Sequence, residues 1–173
     1  MKRFLSRIGV VGLMVVFAVI SFSFSIQAAE KKKLTVNGKF GQIVSKTTSS
    51  PGDVSGHEID QQVRIDMITS SDSDWNGATL TVYEHLDSFA EGGSYKLYGV
   101  FRHKDGDTSY VKYEGTWKVI TQDGKFVEAT GEGKGQFIGG TGKFKNITGD
   151  LLQRTKVTPS EGAVYTIQAE VSY

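Results

Sequence analysis

The 173-residue chain has no cysteine, only two prolines and only three histidines. Without cysteine there is no disulfide, no thiol nucleophile and no thiolate metal site. His57, His85 and His103 show neither H-x-x-x-H nor H-E-x-x-H spacing, so zinc has no support. No G-x-S-x-G elbow occurs either, which removes the usual signature of a serine nucleophile. An excess of one charge is also missing: 20 Lys and Arg face 19 Asp and Glu. That balance gives no electrostatic case for nucleic acid or for an anionic membrane surface.

What is present begins with Lys2, Arg3 and Arg7, followed by the uncharged apolar run Ile8–Ile20 and the mixed stretch SFSFSIQAA. This is the layout of a secretory signal peptide over residues 1–29, with cleavage after Ala28 or Ala29. The run is shorter than the ~20 residues that span a bilayer comfortably, which favours removal over anchoring. No cysteine follows it to carry a lipid. The leader holds three of the 20 basic residues and no acidic one, so the remaining chain has 17 basic against 19 acidic residues. Export to the periplasm or the extracellular space is expected, with no stable membrane anchor after cleavage. Residues 30–173 are long enough for one domain that buries its core without covalent staples.

From Leu34 onward the periodicity is two. Leu34–Val44 reads as a strand bulged around Asn37-Gly38, and Lys46–Ser55 as turn chemistry centred on Pro51-Gly52. His57–Thr69 is a long strand with Ile59, Val63, Ile65 and Met67 as its apolar set, and Ser70–Gly77 is a polar loop. In Ala78–Leu86, Leu80 and Val82 oppose Thr79, Thr81 and Tyr83. Tyr95–His103 follows a Glu91-Gly92-Gly93 turn. Asp105-Gly106 and Asp123-Gly124 are dipeptides of the kind that two-residue hairpins favour. Ser109–Ile120 alternates most cleanly, with Val111, Tyr113, Gly115, Trp117 and Val119 on one face. The last strand sets Ala163, Tyr165, Ile167, Ala169, Val171 and Tyr173 on one face after a Thr158–Gly162 turn. About eight strands joined by short turns predict an all-β, antiparallel fold. An eight-stranded barrel is the first expectation because closure removes exposed edges, and a β-sandwich is the second.

Between these strands lies Gly131–Leu152, GEGKGQFIGGTGKFKNITGDLL, which holds seven of the 21 glycines. A phosphate-binding loop fails here. Phe137 stands where a P-loop needs its first glycine, Phe144 where it needs Ser or Thr, and no helix pattern follows. Gly131, Gly133 and Gly135 instead share one face of a strand, where they permit bending and close packing. Lys134, Lys143 and Lys145 then read as solvent-facing or rim charges.

The run GGTGKF, Gly139–Phe144, with Gly149 five residues after the phenylalanine, resembles the signature hairpin of the allene oxide cyclase and dirigent families. The resemblance covers about twenty residues and implies a small eight-stranded antiparallel barrel. It also implies a homo-oligomer such as a trimer, and a cofactor-free isomerase, cyclase or dirigent-like guide. The hairpin shapes the barrel and carries no catalytic residue, so none is transferred.

Three further features bear on chemistry. Asp72, Asp74, Asn76 and Gly77 open like a calcium loop, but Tyr83 replaces the bidentate glutamate, and an acidic hairpin loop is expected instead. His57-Glu58 and Glu84-His85 place neighbours on opposite faces, so a pocket would have to gather His85, Glu84, Arg64 or Arg102 from different strands. Asn146-Ile147-Thr148 is a formal glycosylation triplet, read as coincidence. Tyr95, Tyr173 and six other aromatics could line an eight-stranded interior. Tyr83, Tyr98, Phe101, Tyr113, Trp117 and Tyr165 are taken as the candidate ligand-binding set. The leading expectation is an exported barrel that binds a small apolar ligand in its mouth without metal or cofactor. The cyclase or dirigent activity and an envelope protein-interaction module are the alternatives.

Overall fold

The structure is a computed structural model that describes residues 30–173; the expected leader lies outside the described residues. Eight antiparallel strands close a barrel: β1 (Lys32–Ser49), β2 (Glu58–Ser70), β3 (Thr79–Phe89), β4 (Gly92–Arg102), β5 (Thr108–Gln122), β6 (Lys125–Gly140), β7 (Thr148–Thr158) and β8 (Gly162–Ser172). Each strand pairs with the next, and β8 returns to β1 from Lys32↔Val171 to Lys39↔Val164. The sandwich alternative is thereby set aside.

The alternation expected for β3, β5 and β8 is the observed one. Leu80, Val82, Val111, Ile167 and Val171 are fully buried. Asp123 and Gly124 both have positive φ, at 51° and 71°, in the two-residue β5–β6 turn. At Asp105-Gly106 the outcome differs. The β4–β5 connection spans residues 103–107, and only Gly106 has positive φ, because His103 accepts from the Gly106 and donates to the Asp107 backbone. The β1 bulges also move. They fall between Lys39 and Gln42 and between Ile43 and Ser45, not at Asn37-Gly38. Gly38 stays in the ladder, and the Tyr165 ring lies where its Cβ would be.

β2 inverts the simple hydrophobic reading. Asp60, Arg64, Asp66 and Ile68 point inward and are buried, whereas Ile65 and Met67 lie on the outer wall, Met67 at 62 % exposure. The interior is therefore polar midway along its length, and the partners described below supply the reason.

One end of the barrel is closed. The 71–78 loop turns Trp75 inward to zero exposure, edge-on to Phe101, His103, Phe137 and Phe144 at 4.7–5.4 Å. A short 3-10 turn, Gly142–Phe144, delivers Phe144 onto His103 at 4.0 Å and beside Tyr173 at 4.8 Å. Gly142 sits at φ 51°, and a Cβ there would overlap the Asp107 carboxylate, which accepts the Lys143 backbone N–H at 3.0 Å. His103 Nδ1 lies 3.0 Å from the Asp74 carbonyl, which can only accept, so Nδ1 carries the proton. Its Nε2 then accepts from the Ser109 hydroxyl at 3.0 Å. Burial pushes the His103 pKa down, against the smaller opposing pull of the Asp74 carbonyl and Asp105.

Phe144→Ala is expected to cost about 3–5 kcal/mol in denaturant unfolding, and Gly142→Val is expected to destabilise through strain and overlap with Asp107. An unchanged melting temperature for Phe144→Ala would remove Phe144 as the plug. A second expectation concerns pH. Because the folded His103 pKa is below its unfolded value near 6.5, its neutral form supports the fold above that value. That support is lost as pH falls below the unfolded value. His103→Asn should flatten the loss. His57 acts with the opposite sign: its hydrogen bond to Asp53 raises its pKa, so His57→Ala should steepen the acid-side decline.

Candidate functional site

The open end carries the β1–β2, β3–β4, β5–β6 and β7–β8 connections. Its interior is built on one cross-strand row, Tyr95–Gly115–Gly133–Gln153, running over β4, β5, β6 and β7 in register. A Cβ at Gly115 or Gly133 would fall within 2.6 Å of the Tyr95 hydroxyl. The two bare positions therefore let the tyrosine lie flat across two strands and donate to Gln153 Oε1 at 2.5 Å. Gln153 Nε2 donates in turn to Thr155. One row along, Tyr113 lies over Gly135, where an added Cβ would meet its Cβ at 2.3 Å. The close packing expected of these glycines is met by Tyr95 at Gly133 and Tyr113 at Gly135, whereas Gly131 is flanked by Trp117 and Thr155.

Below this row sits a buried charge cluster. Arg64 donates from Nε to both carboxylate oxygens of Asp66 at 3.0 Å and from Nη1 to Glu84 Oε2 at 2.7 Å. Gln62 also donates to Glu84, Tyr165 to Asp66 Oδ2, and the Gly41 backbone to Asp66 Oδ1. The guanidinium stacks on Phe40 at 3.7 Å. Burial works against the Arg64 charge, but Glu84 and Asp66 outweigh it and hold its pKa above the ordinary value. Burial pushes the Tyr95, Tyr113 and Tyr165 hydroxyls well above the usual range, so none is a base, and Tyr95 and Tyr165 are donors.

Above the cluster is a cavity of about 120 Å³, opening toward the mouth. Phe40, Leu86, Trp117, Ala129 and Val157 form its sides, and Arg64, Glu84, Tyr113 and Gln153 its polar floor. A wider concavity of about 1410 Å³ lies outside the barrel, where the exposed residues Lys33, Lys134, Gln136 and Glu170 form part of its wall. The enclosed cavity is the candidate site because it combines depth, apolar walls and converging polar groups.

The six candidate ligand-binding aromatics separate into three groups. Tyr113 and Trp117 line the cavity. Phe101 belongs to the closed-end plug, and Tyr165 is spent on Asp66. Tyr83 and Tyr98 are corrected: they stand on the outer wall at 50 % and 40 % exposure, because their positions in β3 and β4 alternate with the inward set. Of the residues that a pocket was to gather, Arg64 and Glu84 meet inside, whereas His85 and Arg102 face outward. Phe40, Leu86 and Gln153 were missed. Only the glycines opposite Gln153 hinted at a side chain crossing there.

The acidic Asp72–Gly77 loop is consumed by protein partners. Lys32 pairs with Asp72, Lys143 bridges Asp74 and Asp105, and Asn76 accepts from the Ser70 backbone. Among the described residues no group of three His, Cys, Asp or Glu side chains could hold a metal ion. Lys143 is therefore a clamped rim charge, and its two aspartates raise its pKa. Compared with known proteins, the chain matches no family model and no curated protein.

Arg64→Ala should destabilise the barrel by about 3–5 kcal/mol in denaturant unfolding, because Asp66 and Glu84 would remain buried without their counter-charge. Lys96→Ala, at an exposed pair with Glu114, should stay within about 0.5 kcal/mol. Equal effects would show that the interior cluster is not what holds β2 in place.

Proposed function

We propose that the protein is an exported barrel that binds a small, largely apolar molecule through its open end. The observation that carries this reading is the asymmetry of the interior. One end is plugged by Trp75 and Phe144, and the other keeps a cavity of about 120 Å³ with apolar sides and a polar floor. A cavity of about 150 Å³ accepts benzene, so this one takes a single ring or the end of a chain. The remainder of a longer ligand would lie outside, where residues 42–49 of β1 pair with β2 alone and the 120–128 tip of β5–β6 pairs only within itself. The basic start and apolar run of the leader support export. The Gly139–Phe144 resemblance would set this binder near the allene oxide cyclase and dirigent barrels, which act by shaping a pocket.

Protein recovered from the exported fraction should show a ligand-derived mass in native mass spectrometry. Ala129→Phe, which fills the cavity from β6, should lose that mass while keeping the barrel's circular dichroism. Ligand-free protein that also shows no melting shift with small ring compounds would sink the reading and favour the interaction-module alternative.

A further inference from the structure

The chain has two tryptophans, and the indole N–H of each is buried without a hydrogen-bond acceptor. Their surroundings are opposite. Trp75 is packed edge-on among Phe101, His103, Phe137 and Phe144, whose ring faces are weak acceptors for an N–H. Trp117 stands in the cavity wall and takes part in none of the ring pairs found among the described residues. Its direct neighbours across β4 and β6 are Gly93 and Gly131. Neither neighbour carries a side chain that could accept from the indole N–H.

Most other polar groups of the site are committed, the Tyr113 hydroxyl on the floor excepted. Glu84 accepts from Arg64 and Gln62, and Gln153 is held between Tyr95 and Thr155. The floor pairs one guanidinium with two carboxylates, Asp66 and Glu84, so it has no surplus positive charge with which to attract an anion. What the apolar wall itself offers is one donor, the Trp117 N–H.

Building on the ligand-binding reading above, we propose that the cavity takes an uncharged ring compound bearing a hydrogen-bond acceptor, such as a ketone or ether oxygen. The Trp117 N–H donates to that oxygen. A carboxylate or phosphate at the same position would meet the buried Glu84 carboxylate, with Asp66 behind it, and is excluded.

Three probes of nearly equal shape separate the possibilities: acetophenone, α-methylstyrene and benzoate. Titrated into the intact protein, acetophenone should bind roughly five- to tenfold tighter than α-methylstyrene, the net effect of one hydrogen bond, and benzoate should not bind. With two tryptophans, the indole region of a nitrogen–proton correlation spectrum holds two signals, and Trp117→Phe assigns them. Acetophenone should move the Trp117 signal downfield and α-methylstyrene should not. In the Trp117→Phe protein the two neutral probes should bind alike. Equal binding of both by the wild type, with no downfield shift, would overturn the acceptor assignment while leaving the cavity a ligand site. Tighter binding of benzoate would overturn it in favour of an anion site at Arg64. Binding of none of the three would remove the ligand-binding reading itself.

Discussion

A guanidinium enclosed in a barrel fixes much of what surrounds it. Arg64 at 2 % exposure needs counter-charge, and it takes Asp66 from its own strand and Glu84 from β3. Breaking such a buried pair on one side leaves an uncompensated charge. The cluster therefore specifies which face of β2 turns inward: a one-residue slip would move Arg64 and Asp66 to solvent and bring Ile65 and Met67 in. Tyr165, the Gly41 backbone and Phe40 are recruited from β8 and β1 to complete it. The first bulge of β1 is part of the same arrangement, because a Cβ at Gly41 would overlap the Ile65 carbonyl.

Closure depends on a second constraint, the pairing of inward tyrosines with glycines on neighbouring strands. An eight-stranded interior has little room beyond its side chains. Tyr95 crossing Gly115 and Gly133 and Tyr165 crossing Gly38 lay large rings parallel to the wall instead of along a radius. Each hydroxyl so placed can reach a partner two or more strands away, as Tyr95 does at Gln153. The glycine-rich character of β6 is thus an interior packing device. Its backbone N–H groups belong to ladders with β5 and β7, so they cannot form a phosphate cradle.

Strand number, barrel closure and the inward faces of β3, β5 and β8 were legible because period-two alternation and turn chemistry are local. The same alternation already set Tyr83 with Thr79 and Thr81, opposite Leu80 and Val82, so its assignment to the interior put aromatic character above position. β2 was less legible for a physical reason. Its inward set, Asp60, Gln62, Arg64 and Asp66, looks like a solvated face until Glu84, Lys46, Thr48 and Tyr165 are known to meet it. Those partners lie 12 to 99 residues away along the chain. The 103–107 turn is the opposite lesson: the Asp-Gly dipeptide was right, but His103 is drawn inward to the plug and lengthens the loop.

The open-end cavity is the point at which folding and function part. A sealed void of 120 Å³ costs on the order of 3 kcal/mol in lost packing, and contact with water at the mouth reduces that figure. The residues that leave it unfilled are small ones on inward positions, Ala129 and Gly131 of β6, facing Phe40 and Trp117. Larger apolar side chains at Ala129 would recover packing if the barrel were only a scaffold. Stability and ligand binding therefore respond with opposite signs to volume at that position, whereas at Phe144, in the plug, loss of volume harms only the fold. The two ends of one interior are distinguished by that difference in sign, and it places the search for activity at the mouth.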